Sequence, residues 1–382
     1  MKLDFTRAQN KVYACAILCW FLLIGINTIA HAQKKYVIIG YVGGYRGFID
    51  TNMVDARKLT IINYAFVNVQ NNRATLSHLV SDSVNLRYLA GLKKRNPDLK
   101  IMISIGGWTW SGNFSDAVLS DTSRQAFAAS AVAIVKKYQL DGVDIDWEYP
   151  DQNGNGNIHR PVDKQNYTLM FQALRQDLDQ LQKQTKQKYL LSTAAGGFKG
   201  FLQHTEMDKA QQYLDYINLM TYDYFPDSLN VAVHHTALYG SKKYNATEYS
   251  DRAVNDFVAA GVPRSKLVIG IAFYGHSYQT ADTLHNGLGS KVVRQMRAGG
   301  GYTFIKDSLI TNKSFKYYRD NDAQAPYLFN NSTNQFVTFD DEWSVKNKCQ
   351  YVKDNGMAGV MFWEYANDKK EYLLKEINSD LK

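Results

Sequence analysis

A (β/α)8 barrel is the α/β fold this sequence predicts, and three observations predict it. Eight apolar, β-branched runs recur along the chain, amphipathic helical segments separate most of them, and 382 residues hold one large barrel with room for an addition. Strands buried on both faces of a parallel sheet read as such unbroken apolar runs. An open, doubly wound sheet is the competing architecture.

The N-terminus precedes that pattern. Lys2, Arg7 and Lys11 form a positive leader, Val12 to Ile26 is an apolar run short for a membrane span, and Ala30-His31-Ala32 is a small-x-small cleavage site before Gln33. Residues 1–32 are therefore expected to be a secretory signal peptide, and the mature protein to be secreted or periplasmic without a stable membrane association. Cys15 and Cys19 fall inside that segment, so only Cys349 remains and no intramolecular disulfide is expected.

The expected strands begin at Tyr36 ("YVIIGYV"), Thr60 ("TIINYAFVNV"), Lys100 ("KIMISIGG"), Gly142 ("GVDIDWEY"), Tyr189 ("YLLSTAAGG"), Tyr216 ("YINLMTYD"), Leu267 ("LVIGIAFYG") and Gly359 ("GVMFWEY"). Between the third and fourth, Phe127, Ala131, Ile134, Val135 and Tyr138 follow helical spacing after a Ser120/Asp121 start signal. Between the fourth and fifth, Tyr167, Met170, Phe171, Leu174, Leu178 and Leu181 do the same. Residues 277–336 break the rhythm. A glycine cluster, a helix-like "GLGSKVVRQMR" and β-rich pieces "YTFIKD", "KSFKYYRD", "PYLFN" and "QFVTF" predict a small α+β insertion after the seventh strand. The barrel is thus expected over 33–276 and 337–382.

A net charge of +8 comes from Lys and Arg scattered through helix-like segments, a solvated surface and not a basic stripe, so nucleic acid is not an expected partner. A 13% aromatic share suits a surface that binds sugars or bases. The chain is expected to act as a monomer.

One stretch of the fourth strand, "DGVDIDWEYP", carries the chemistry. Strand alternation puts Asp144, Asp146 and Glu148 on one face and Val143, Ile145 and Trp147 on the other. Neighbours on the acidic face stand roughly 6 to 7 Å apart, close enough in a poorly solvated place to shift one another's pKa values. On a barrel strand that column points inward, with Glu148 nearest the C-terminal mouth where barrel enzymes work. A solvated strand face and an oxygen-ligand site for Mg²⁺ or Ca²⁺ are the alternatives. Trp147, on the helix-facing side, is expected in the core.

Asp141-x-x-Asp144-x-Asp146-x-Glu148 resembles the signature of the family-18 glycoside hydrolases, the chitinases among them. "SIGGW" (Ser104 to Trp108), "MTYDY" (Met220 to Tyr224) and "MFWEYAND" (Met361 to Asp368) resemble that family's third-, sixth- and eighth-strand motifs, and the insertion resembles the α+β domain many chitinases carry. The resemblance implies cleavage of β-1,4 bonds between N-acetylglucosamine units, without metal or cofactor, by a retaining mechanism in which the substrate's acetamido oxygen is the nucleophile. Glu148 would be the acid, its pKa raised by burial and by the negative charge beneath it. Asp146 would orient the acetamido group, Asp144 would share a proton with Asp146, and Tyr222 would donate to the acetamido carbonyl. Trp363 would floor the cleft. Met220 and Asp223 would wall it, and Trp108, Tyr41, Phe66 and Tyr327 would line it, while Asp141 and Ser104 would be structural. The roles of Trp110, Trp343, Tyr317 and Tyr318 stay open between cleft and core.

After "GIAFYG" this chain has His276 where members of that family often have arginine. His159, His234 and His235 show no metal-ligand spacing. Within the resemblance, an endo-β-N-acetylglucosaminidase or a peptidoglycan-type hydrolase shares the acid motif. A carbohydrate-binding lectin on the same fold would lack the acid, and Glu148 is present.

Overall fold

The computed structural model describes residues 36–224, 230–296 and 300–382, so the expected signal segment lies outside the described residues. Eight strands form the barrel: β1 (Val37–Gly43), β2 (Ile61–Gln70), β4 (Lys100–Gly106), β5 (Gly142–Asp146), β6 (Leu190–Gly196), β7 (Tyr216–Met220), β8 (Leu267–Ala272) and β14 (Gly359–Trp363). They pair in parallel in the order β1-β14-β8-β7-β6-β5-β4-β2, and β1 pairs with β2 to close the ring. A three-residue strand, β3 (Arg73–Thr75), folds back antiparallel on β2.

Alternation along each strand divides the side chains between two cores. Val143, Ile145 and Trp147 face outward into the main apolar layer beneath the helices, together with Phe127, Ala131 and Val135 of the helix Asp121–Tyr138 and Tyr167, Phe171 and Leu174 of Asp163–Thr185. Trp147 is fully buried, stacked on Phe114 at 5.1 Å and edge-on to Tyr167 at 6.1 Å, which is the core position expected of it. The first helix starts where its sequence signals a start: Ser120 and Ser123 form a reciprocal capping box. The barrel interior holds a smaller apolar set, Ile39, Tyr41, Ile61, Ala65, Met102, Val268, Ala358 and Met361.

Between β8 and the helix Glu342–Asp354 stands a second, antiparallel sheet. Its strands are β9 (Gly275–Thr280), β10 (Val292–Met296), β11 (Lys316–Asp320), β12 (Ala325–Asn330) and β13 (Gln335–Phe339), in the order β10-β9-β13-β12-β11. The sheet starts at Gly275 and ends at Phe339, just outside the 277–336 expected for the insertion. Two local expectations exchange places. "VVRQM", expected as helix, is strand β10, because the edge of β9 offers it unpaired backbone groups. "YTFIKD", expected as strand, lies in helical turns over Tyr302–Leu309, and buried Tyr302, Ile305 and Leu309 have helical spacing.

Candidate active site

Asp144 lies at mid-barrel, fully buried, where branched apolar side chains usually fill the space. It is accommodated because four other barrel strands, two of them adjacent to β5, each supply a donor. Tyr41 (β1, 2.9 Å) and Ser104 (β4, 2.7 Å) donate to Oδ2, and Ser192 (β6, 2.6 Å) and Asn218 (β7, 3.2 Å) donate to Oδ1. The register Ser104–Asp144–Ser192 across β4, β5 and β6 sets two of these side chains in one layer. Burial raises the Asp144 pKa, and the four hydrogen bonds oppose that shift.

One step up the same face the environment changes. Asp146 is 4% exposed, and its Oδ1 has no hydrogen-bond partner. Burial first, then the charges of Glu148 and Asp144, push its pKa far above the ordinary value, so this carboxyl holds a proton. Among the described residues no hydrogen bond joins it to Asp144, whose oxygens are already occupied by donors.

Glu148 lies two residues past the end of β5, in a loop tied down from both sides. Its N–H donates to Ser111 Oγ (2.9 Å), and Ser111 in turn donates to the carbonyls of Gly107 (3.0 Å) and Asp146 (3.2 Å). Asn157 donates to the Glu148 carbonyl at 2.6 Å. The paired glycines of "SIGGW" make this approach possible. Gly106, at φ +110°, would place a Cβ 2.2 Å from the Asp146 carbonyl oxygen, and Gly107, at φ +80°, would place one 2.6 Å from the Phe66 ring. The Glu148 carboxyl is pushed up to about 7 by burial and then by the charge of Asp223, against the lowering effect of hydrogen bonds from the Tyr149 hydroxyl and the Trp108 N–H. Asp223, across the cleft, is thus an anion that lifts it, and Glu148 and Asp146 act on each other as well.

Asp223 follows β7 in a left-handed conformation (φ 58°), which aspartate tolerates better than most residues, and its carboxylate is 42% exposed. Its Oδ1 accepts from Tyr274 (2.6 Å) and stands 2.7 Å from His276 Nε2 and 3.8 Å from His235 Nδ1. Burial would raise the Asp223 pKa, but the two imidazoles that face it, His235 and His276, outweigh burial and hold the carboxyl well below the usual range. Buried His235 is pushed down to about 4, so its imidazole is neutral. Tyr222 keeps its phenolic proton, since burial and the surrounding Asp146, Asp223 and Glu148 all raise its pKa; its hydroxyl points toward Met361 Sδ at 3.6 Å.

Asp146, Glu148, Tyr222 and Asp223 line a cleft of about 1010 Å³ at the C-terminal mouth of the barrel, together with Phe66, Trp108, Trp110, Tyr149, Phe198, Met220 and Trp363. Trp363, at the end of β14, stacks with Phe66 (5.3 Å, 19°) and with Tyr45 (6.4 Å, 13°), so one aromatic platform runs along the floor. Tyr45 is braced by its own hydroxyl bond to Glu364 at 2.9 Å. Trp108 is 49% exposed and meets Tyr149 edge-on at 6.5 Å.

Of the residues expected in the site, Glu148, Asp146, Tyr222, Asp223, Met220, Trp363, Trp108, Phe66 and Tyr41 line this cleft. Tyr41 does so at its base, 2% exposed, with its hydroxyl committed to Asp144. Ser104 touches the machinery through Asp144. Asp141 sits at the opposite end of β5, where it accepts from the Ile101 N–H (2.8 Å) and Gln187 (2.8 Å) and pairs with Lys93. Tyr327 is a correction. It is 2% exposed, stacks on Tyr318 at 5.2 Å and packs with Tyr278, Phe329 and Phe336, so the second sheet uses it as core and not as groove wall. Trp110 joins the cleft, whereas Trp343 lies under the guanidinium of Arg319 at 4.7 Å. Tyr45, Ser111, Tyr149, Ser192 and Asn218 were not foreseen, and His235, whose spacing in the sequence suggested no ligand role, stands beside Asp223. For Ser192 and Asn218 a signal existed: each is a polar side chain at an inward position of an otherwise apolar strand.

Comparison with known proteins gives this arrangement its relatives. A family model described as Glycosyl hydrolases family 18 matches residues 37–368. Chitinase A1 of Niallia circulans is 32% identical over 92% of this chain, which spans 59% of that relative's length. Chitotriosidase-1 of Mus musculus is 33% identical over 81% of this chain and 67% of its own. Among solved structures, a glycoside hydrolase family 18 N-acetylglucosaminidase from Paenibacillus barengoltzii superposes with a TM-score of 0.84 at 39% identity, covering 91% of this chain and all of its own. With a family match running through all eight barrel strands and the acids of β5, the chain belongs to glycosyl hydrolase family 18.

Proposed function

We propose that this protein is a chitinase that hydrolyses β-1,4 bonds between N-acetylglucosamine units with retention, using the substrate's own acetamido group as nucleophile. The observation that carries the reading is the carboxyl of Glu148, raised to about 7 at the rim of an aromatic cleft, where it can hold a proton at neutral pH and release it during reaction. Glu148 gives that proton to the glycosidic oxygen as the acetamido oxygen attacks the anomeric carbon. The C–O bond to the leaving sugar breaks and an oxazolinium ion forms. In the second step Glu148 takes a proton from water, which opens the oxazolinium from the same face. Asp146 Oδ1, buried without a partner, suits the acetamido N–H, and the Tyr222 hydroxyl, kept protonated, suits its carbonyl. The platform of Trp363, Phe66 and Tyr45 suits the apolar faces of successive sugars.

A second reading, an N-acetylglucosaminidase that removes single sugars, is favoured by the Paenibacillus relative. A time course on a chitin hexamer with anomer-resolved detection separates the two. A chitinase gives dimers to tetramers of retained configuration early in the course, the second reading gives monomer from the start, and no turnover on hexamer or chitin rejects both. Export is part of the proposal and rests on the leader of Lys2, Arg7 and Lys11 and the Ala30-His31-Ala32 site. N-terminal sequencing of the exported protein should begin at Gln33.

A further inference from the structure

Asp223 also belongs to a second constellation, whose two histidines the hydrolytic mechanism does not use. From three separate segments come Asp223 after β7, His235 in the following loop and His276 on β9, and one ligand atom of each lies within 4.8 Å of the others. We propose that Asp223 Oδ1, His235 Nδ1 and His276 Nε2 bind a transition-metal ion of the Zn²⁺ or Cu²⁺ type at the edge of the cleft, and that the bound ion inhibits hydrolysis. The inhibitory half of this proposal rests on the chitinase reading; the binding half does not.

Geometry supports it first. A tetrahedral ion bound at about 2.0–2.2 Å holds its ligand atoms roughly 3.3 Å apart. The separations from Asp223 Oδ1, 2.7 Å to His276 and 3.8 Å to His235, bracket that spacing, so shifts of about half an ångström close the site. His235 supplies the independent observation. Its side chain is fully buried, Nε2 has no hydrogen-bond partner, and Nδ1 stands 3.8 Å from Asp223 Oδ1, beyond the reach of a good hydrogen bond, an arrangement native interiors seldom leave unexplained. The Nδ1 of this neutral ring is the atom that stands beside Asp223. Its ring lies against that of His276 at 4.7 Å, nearly perpendicular, so both can turn a nitrogen toward one point.

The donor set names the ion. Two imidazoles and one carboxylate suit zinc or copper, whereas calcium and magnesium take six or more oxygens. The Tyr274 hydroxyl, 2.6 Å from Oδ1, remains as the donor that orients the carboxylate. Because Asp223 is 42% exposed and His276 16%, the ion's fourth position faces the cleft, open to water. Loading exchanges the His276–Asp223 hydrogen bond for two bonds to the ion, with Nε2 presenting its lone pair and the ring proton on Nδ1. One consequence opposes hydrolysis: Asp223 and Glu148 line the same cleft, so the ion and its open position take up space that substrate needs beside Glu148.

The test uses untagged full-length protein stripped with chelator and titrated with zinc chloride by calorimetry near neutral pH. One zinc per chain is expected, with affinity falling about 100-fold in His276→Ala and in His276→Arg, both at the rim where folding is not at stake. No zinc binding by the parent, or undiminished binding in both variants, overturns the site. On a chitin hexamer, zinc should lower kcat/KM of the parent reversibly with chelator and leave the residual activity of His276→Arg unaffected. Equal inhibition of parent and variant overturns the location. A chain that binds zinc through His276 yet hydrolyses no sugar refutes the chitinase reading and the inhibition together, and leaves the metal site standing.

Discussion

Where β5 begins, the Asp141 carboxylate is held by the Ile101 N–H, Gln187 and Lys93; where it ends, Asp146 has an oxygen with no partner and Glu148 is pushed up to about 7. Asp141 and Asp146 stand five positions apart in the chain, yet their surroundings serve opposite ends. At the entrance every group is paired, which stabilises the closure of the barrel. At the exit, burial outweighs the few hydrogen bonds present and raises both carboxyls above their ordinary range, at a cost to folding that the rest of the barrel offsets. Asp144, between them, has the burial of the exit and the hydrogen bonds of the entrance, and the four strands that serve it carry the transition.

Substitutions along the strand can break this contrast, and they are ordered here by expected effect. Glu148→Gln should lower kcat on a chitin hexamer by about 10²–10⁴-fold while oligosaccharide binding by calorimetry persists, since only the transferable proton is lost. Comparable turnover in that variant would move the acid elsewhere. Asp146→Asn should lower kcat by about 10²-fold and change the shape of the pH profile, because the proton this residue holds and its charge coupling to Glu148 are both removed. An unaltered profile would detach Asp146 from the acid. At the other end, Asp141→Asn should leave kcat unchanged and destabilise the fold by about 1–3 kcal/mol in urea titrations, by losing the ion pair with Lys93. Loss of activity at unchanged stability would erase the distinction between the two ends. Tyr327→Phe, outside the strand and the cleft, should cost about 1 kcal/mol through its bond to the His285 carbonyl and leave kcat/KM alone. A raised KM there would return Tyr327 to the groove.

How much of this was legible in sequence follows from what each signal encodes. All eight barrel strands stood out because strands buried on both faces carry unbroken β-branched runs, and the long helices because their buried faces repeat at helical spacing. In the second sheet those periods are short and mixed: β10 owes its form to the edge of β9, and Tyr327 faces a core that composition alone does not locate. Within the site, residues on the acidic strand were legible through alternation. Ser111, Tyr149 and Tyr45 were not, because they lie on loops with no period and reach the chemistry through hydrogen bonds or ring stacking that only the fold assembles. His235 and His276 are 41 positions apart in the chain, a spacing that suggests no ligand pair, and meet only because the second sheet springs from the barrel beside β7.

The proposed mechanism makes Glu148 a proton donor held near neutrality by burial and by Asp223 across the cleft. A pH profile of kcat/KM on a soluble chitin oligomer, run in parallel on the parent and on Asp223→Asn, decides whether it is. Because the protonated form is the reactive one, activity should fall as pH rises through about 7, and removing the Asp223 charge should move that descending limb to lower pH. A limb near the ordinary glutamate value of 4.5 in the parent, or one that stays in place in Asp223→Asn, would contradict it.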